Sequence, residues 1–167
     1  IINPMLLSKS EYLLFLRHPA WLWLKKFDKS KLAATDASVQ AIRDEGNRFE
    51  AYANLLFPDA TKLGFIHSDS YLTLPARTNE ALASHSKTIL QGRLEAEDLT
   101  CIFDVLERVE NGGEVISTSE GSTSTSTSPS TSTTTLYDLT EIKASTRVKP
   151  EHLYDLAFQL TVMEKAG

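Results

Sequence analysis

With 167 residues, 41% hydrophobic and 23% charged, the chain has the size and composition of one globular domain, large enough for a real core and too short to expect two. No run approaches the roughly 18 apolar residues of a membrane span; the most apolar stretch, 12–24, is broken by Arg17, His18 and Pro19 and lacks a secretory cleavage site. A net charge of −5 excludes a protein coated with positive charge for unspecific nucleic-acid binding, but leaves room for a basic cleft beside an acidic metal site.

Ser8 followed by Glu11 has the spacing of a capping box, so a helix is expected to start there and run to about Leu16. Pro19 opens a second helical segment that sets Trp21 and Trp23 in a rigid aromatic patch, read as core or interface anchors rather than base-stacking platforms. The segment 38–57 is the clearest helix. Val39, Ile42, Gly46, Phe49, Ala53 and Leu56 recur at three- and four-residue steps to give one buried stripe, and Pro58 ends it. Between 61 and 75 the reading is mixed, with short strands expected at 63–66 and 71–74; a helical turn follows at 78–84. Residues 87–96 read as a strand, Glu97 and Asp98 as a turn, and 100–108 as a strand apolar on both faces, hence central in its sheet.

From 117 to 135 the sequence is almost entirely serine and threonine. Such a tract cannot bury enough apolar surface to offset its ordering entropy, so it reads as a disordered insertion, a passive linker between two strands. Residues 136–144 form the next expected strand. A helix over 148–166 follows, with Pro150 in its first turn and Leu153, Leu156, Ala157, Leu160 and Met163 facing inward. Helices, a meander of about three strands, and a helix returning over the sheet make an α/β layout.

The single cysteine, Cys101, excludes an internal disulfide framework and any cysteine-built zinc site, and a cytoplasmic location is expected. The four histidines show no metal-ligand spacing. A start at Ile1 without methionine, and a stop at Gly167 straight after a helical run, read as a fragment of a longer protein.

Alternation puts residues two apart on one face of a strand. Asp104 then shares its face with Ile102 and Leu106, where a carboxylate is costly unless a cation or a donor compensates it. Glu141 and Lys143 likewise share a face. Two acids and an amine on neighbouring strands suit a divalent metal site for phosphodiester hydrolysis, which needs a hard cation held by oxygen ligands. Asp104 and Glu141 are the expected ligands of magnesium or manganese, with the Ile142 carbonyl as a further one. Lys143 would orient or activate the attacking water and offset charge in the transition state.

Glu141, Ile142 and Lys143, after a strand bearing Asp104, resemble the ExK signature of the PD-(D/E)xK nucleases. The continuation through Arg147 and Lys149 into a helix with Asp155 and Gln159 is similar to the RecB-like version of it. The opening from Leu7 to Tyr12, with the later Pro19 and Trp23, resembles bacterial RecB-like proteins of unassigned role. The resemblance implies a restriction-endonuclease-like core, a central mixed sheet flanked by helices. It implies a magnesium-dependent deoxyribonuclease acting on DNA, single-stranded DNA included, in repair or defence, with further domains in the same full-length protein and no membrane partner. It gives Gln159 a place in the site. It also implies an upstream helix with a glycine followed four residues later by histidine or glutamate; Gly46 and Glu50 match this, which makes Glu50 a candidate third metal ligand. Relatives with an iron–sulfur cluster carry a cysteine where this chain has His18, so no cluster is expected.

Blander readings compete at each position. Asp104 could cap a loop, Glu141 and Lys143 could be a surface pair, and Gln159 could bond within its helix packing. Glu50 could be a solvated helix residue, and Arg147 and Lys149 either contact a phosphate backbone or are merely solvated. The rival functional reading is a catalytically inactive nuclease fold serving as a DNA-binding or protein-docking module.

Overall fold

The computed structural model of the chain describes residues 6–33, 36–64, 70–109 and 135–167. Their elements run β1 (Leu7–Ser8), α1 (Lys9–Arg17), α2 (Pro19–Phe27), α3 (Ala37–Ala53), β2 (Thr61–Lys62), α4 (Ser70–Ala83), β3 (Thr88–Leu90), β4 (Arg93–Ala96), β5 (Leu99–Ile102), β6 (Val105–Arg108), β7 (Tyr137–Thr140) and α5 (Pro150–Ala166). The class is mixed α/β, as expected, but the strands form two mixed sheets rather than one, ordered β1-β5-β4 and β2-β3-β6-β7.

One long hairpin serves both sheets. The strand expected over 87–96 is broken at Gln91 and Gly92 into β3 and β4, and the one expected over 100–108 is broken at Phe103 and Asp104 into β5 and β6. Leu94 faces Cys101 in one half and Leu90 faces Val105 in the other. The pairing continues across the break, because the Gln91 N–H donates to the Asp104 carbonyl at 2.9 Å and the Phe103 N–H to the Gly92 carbonyl at 3.0 Å. The cause of the crease is local. Gln91 adopts a left-handed φ of 56°, and the Phe103 ring lies so close over Gly92 that a Cβ there would overlap it. Asp104 therefore sits at the crease and not on a flat strand face between Ile102 and Leu106.

The expected strand at 63–66 is displaced toward its start. Pairing begins at Thr61 and Lys62, parallel to β3, and the Leu63 N–H extends it by donating to the Leu90 carbonyl at 3.0 Å; residues 65–69 lie outside the described residues. The expected strand at 71–74 is instead helical, and α4 absorbs the predicted turn at 78–84. Buried Leu74, Thr78 and Ala81 carry its helical period, which Pro75 obscures in the sequence. Pro75 has no N–H for the Tyr71 carbonyl. The Arg93 guanidinium takes that role, donating from Nη1 at 2.7 Å and stacking on the Tyr71 ring at 3.8 Å.

The capping box at the first helix forms as expected, the Ser8 N–H and hydroxyl both donating to Glu11 Oε2 at 2.9 Å. Two helical faces depart from expectation. The stripe on α3 is not buried among the described residues: Ile42 is 70% and Leu56 77% exposed, and Val39 and Phe49 are exposed too. Its period states which face is apolar, but no described element covers that face. On α5, Met163 packs on the core and Leu156 is half-buried as expected, but Leu153, Ala157 and Leu160 point out, while Asp155, Phe158, Gln159 and Val162 are buried. Phe158 stacks on Tyr12 with ring centroids 5.2 Å apart. Two polar residues on the inward face are what misled a reading based on hydropathy. Trp21 and Trp23 are 45% and 56% exposed, so they are not core anchors. The strand expected over 136–144 ends at Thr140, and the Ser/Thr tract, apart from Thr135, lies outside the described residues. No helix among the described residues is long and apolar enough to cross a membrane.

Candidate active site

Two edge strands run into the crease from opposite ends. β7 lies antiparallel beside β6 with Thr140 opposite Val105, so Glu141 and Ile142 arrive beside Asp104. β1 lies parallel beside β5 with Ser8 opposite Thr100, so Lys9, the first residue of α1, arrives from the other side. Helix α5 packs across β4, β5 and α1 and adds Asp155 and Gln159, which share a face one helical turn apart.

The side chains that meet there form one network. Glu141 Oε1 accepts from Lys9 Nζ at 2.8 Å and from Lys143 Nζ, and Glu141 Oε2 accepts from Gln159 Nε2 at 2.8 Å. Asp155 accepts from Lys9 Nζ at 3.1 Å, Lys143 Nζ at 2.7 Å and Gln159 Nε2 at 3.0 Å. With side-chain exposures of 8% for Glu141 and 4% for Asp155, this is no surface pair. Asp104 joins through the backbone, its Oδ2 accepting from the Ile142 N–H at 2.7 Å. Glu50 reaches the crease from α3, its Oε1 accepting from the Gln91 side chain.

Charge follows from this geometry. Burial opposes ionisation of Lys143, but Asp155 and Glu141 outweigh it and hold the ammonium up to about 12. Burial likewise works against the charge of Lys9, and Glu141 and Asp155 again raise it. Asp155 is also opposed by burial, yet Lys143 and Lys9 hold its carboxyl below the usual range. Asp104 is the exception. Burial first, then the nearby Glu141 charge, push its carboxyl up to about 7; Glu50 adds to the push, and the Ile142 N–H and Lys9 resist it.

All the expected site residues are therefore neighbours. Glu141, Lys143 and Gln159 bond directly, Asp104 and Ile142 bond to each other, and Glu50 is one residue removed through Gln91. Lys9 was not legible as a site residue, since a lysine opening a helix normally points to solvent and its Glu141 partner lies 132 residues away. Asp155 carried no assigned role.

Among the described residues no three His, Cys, Asp or Glu side chains converge on one point as they stand. The donors around the crease nonetheless fit a hard divalent cation in kind. They are carboxylate oxygens, the field of Glu141 and Glu50 that disfavours the Asp104 charge would favour a cation, and Gln159 Oε1 is buried without a hydrogen-bond partner among the described residues. A cleft of about 510 Å³ opens beside the network, lined by Glu141, Lys143, Ser145, Arg147, Leu153 and Leu156 among others. Compared with family models, curated proteins and solved structures, the chain finds no significant match in any of the three.

Proposed function

We propose that the chain is a metal-dependent nuclease that hydrolyses phosphodiester bonds of DNA, built on a restriction-endonuclease-like core. The observation that carries this is the meeting of Asp104, Glu141, Lys143 and Gln159 at one crease, from elements far apart in the chain, beside an open cleft. Asp104 and Glu141 would hold magnesium or manganese, with Glu50 and the Ile142 carbonyl as further oxygen donors. The ion supplies Lewis acidity at the phosphate and lowers the pKa of a water. The chain's own groups do the rest. Lys143 is held as an ammonium by Asp155 and Glu141. It donates, placing a water or a phosphate oxygen at the cleft mouth and offsetting the charge that builds on the phosphoryl group. Lys9 and Asp155 fix the Lys143 amine and the Glu141 carboxylate in register, and Gln159 pins both acids from the helix side. Arg147 sits along the cleft where a backbone phosphate would pass.

Cleavage of single- and double-stranded DNA with magnesium or manganese tests this. Wild type should cut, and Asp104→Ala and Lys143→Ala should each fall by roughly 10²- to 10³-fold. Equal activity in all three proteins removes the assignment. A second reading, a nuclease-type fold that binds without cutting, is favoured by one observation: both Glu141 oxygens are already engaged by Lys9, Lys143 and Gln159. Calorimetry separates the two, because a working centre takes up the ion in an Asp104-dependent way.

A further inference from the structure

Helix α2 presents aromatic rings to solvent within the most cationic stretch of an acidic chain. Trp21, Trp23 and Phe27 are 45%, 56% and 62% exposed. Trp23 and Phe27, one turn apart, have centroids separated by 5.6 Å, and His18 lies 6.0 Å from Trp21. Around them stand Arg17, Lys25, Lys26, Lys29 and Lys31 against a single acid, Asp28, in a protein whose net charge is −5. Lys26 is committed internally, to Glu11 at 2.9 Å and the Leu6 carbonyl at 3.0 Å, which clamps the end of α2 onto the start of α1. Arg17 and Lys29 are exposed, and Lys31 pairs with its half-buried neighbour Asp28 at 2.9 Å.

This surface is continuous with the site. Lys25 Nζ reaches Ser10 Oγ at 3.5 Å, Ser10 follows Lys9, and Lys9 joins Lys143 through Glu141. The first turn of α1 therefore gives a path from the crease to α2, sending Lys9 into the network while Ser10 meets Lys25.

We propose that α2 and the turn after it form a binding surface for single-stranded DNA, with bases stacking on Trp23 and Phe27 and phosphates following Lys25, Lys29 and Lys31. Cations alone would attract any polyanion, and exposed rings alone any apolar partner. Rings interleaved with lysines match a polymer that alternates flat bases with phosphates and leaves the bases unpaired. A duplex hides its bases and could use only the charges. The polarity of the path, from site to surface, rests on the nuclease reading; the binding itself does not.

The experiment exploits the fact that the chain has two tryptophans, both on α2, so intrinsic tryptophan emission reports this helix alone. Titration of the full chain with oligo(dT) in the presence of a chelator should quench that emission saturably. Trp23→Ala combined with Phe27→Ala should weaken binding roughly 30-fold or more, as expected for two lost stacking contacts, with Trp21 left as the reporter, while circular dichroism melts stay unchanged. Lys25→Gln with Lys29→Gln, which leaves the rings in place, should flatten the salt dependence by about 0.7 in log–log slope per lysine. Absence of quenching in wild type, or ring and lysine variants that both bind oligo(dT) as tightly as wild type, overturns the proposal. So does a blue shift on mixed phosphatidylcholine and phosphatidylserine vesicles without any response to oligo(dT), which would assign the surface to a membrane. Failure of the nuclease reading shows separately, as absence of DNA cleavage with α2-dependent binding intact.

Discussion

Asp104 is the group whose charge state the fold alters most. Its carboxyl titrates at 3.8 in an unperturbed setting and at about 7 in the folded chain, through burial and the neighbouring Glu141. A carboxyl raised by folding favours the folded state while protonated. That contribution is complete below about pH 4 and is lost as pH climbs through about 7, because above it a charge must be kept in a poorly solvated place. Asp104→Asn, neutral throughout, should melt with wild type near pH 4 and be the more stable protein at pH 8, by up to about 4 kcal/mol. Its side-chain oxygen can still accept the Ile142 N–H. Thermal melts of the two proteins across this range check the sign, and a wild type that is more stable at pH 8 without added ion contradicts it. Magnesium should reverse the order at pH 8, since an ion and a proton compete for the same oxygen. Glu141 and Lys143 were legible in the sequence because a two-residue spacing places groups locally, and Asp104 because a carboxylate among apolar neighbours stands out, although the strand face it was read on is broken. Lys9 was not, because only the parallel pairing of β1 with β5 brings it to Glu141, and no local pattern encodes a partner at that distance.

At the scale of elements, the interplay of α4 with β4 decides much of the packing. Arg93 is 4% exposed and replaces, at the Tyr71 carbonyl, the donor that Pro75 lacks; its Nε also donates to Thr100 Oγ1 at 3.0 Å. Arg93→Met should keep the apolar stem yet lose the hydrogen bonds to the Tyr71 carbonyl and to Thr100. A loss of about 2–4 kcal/mol in urea unfolding is expected, and a loss below about 0.5 kcal/mol would mean the guanidinium is dispensable. The same contact explains a misreading. In isolation, a proline after apolar residues argues against a helix, and the compensating donor lies 22 residues on. Elements with local signatures were read well. The capping box at Ser8, the turn at Glu97 and Asp98 and the proline opening α5 all sit where local chemistry puts them. Breaks within strands were missed, because the crease depends on Phe103 crossing over to Gly92 from the partner strand. Part of the inward face of α5 was missed for a related reason: Asp155 looks solvent-bound until Lys9 and Lys143 are known, and Gln159 until Glu141 and Asp155 are.

Across the whole molecule, the core is gathered on the creased hairpin, with Ile89, Leu94, Cys101, Phe103 and Leu106 meeting Leu74 of α4 and Phe158 and Val162 of α5. Every other strand is an addition to it: β1 lies on β5, β7 on β6, and β2 on β3, reached through α4. That dependence has a kinetic consequence. Hairpins close in about 1–10 μs because their partners are near in sequence, whereas distant strands must wait for loop closure. The hairpin is therefore the natural nucleus, and Leu94→Ala or Cys101→Ala should slow refolding nearly in step with the stability each removes. Leu139→Ala on β7 should leave the refolding arm of a chevron unchanged and steepen only the rate of unfolding. The reversed pattern would place the first-formed structure elsewhere. If it holds, the acid at the bend is seated early in folding, and its amine and amide companions join one docking event at a time.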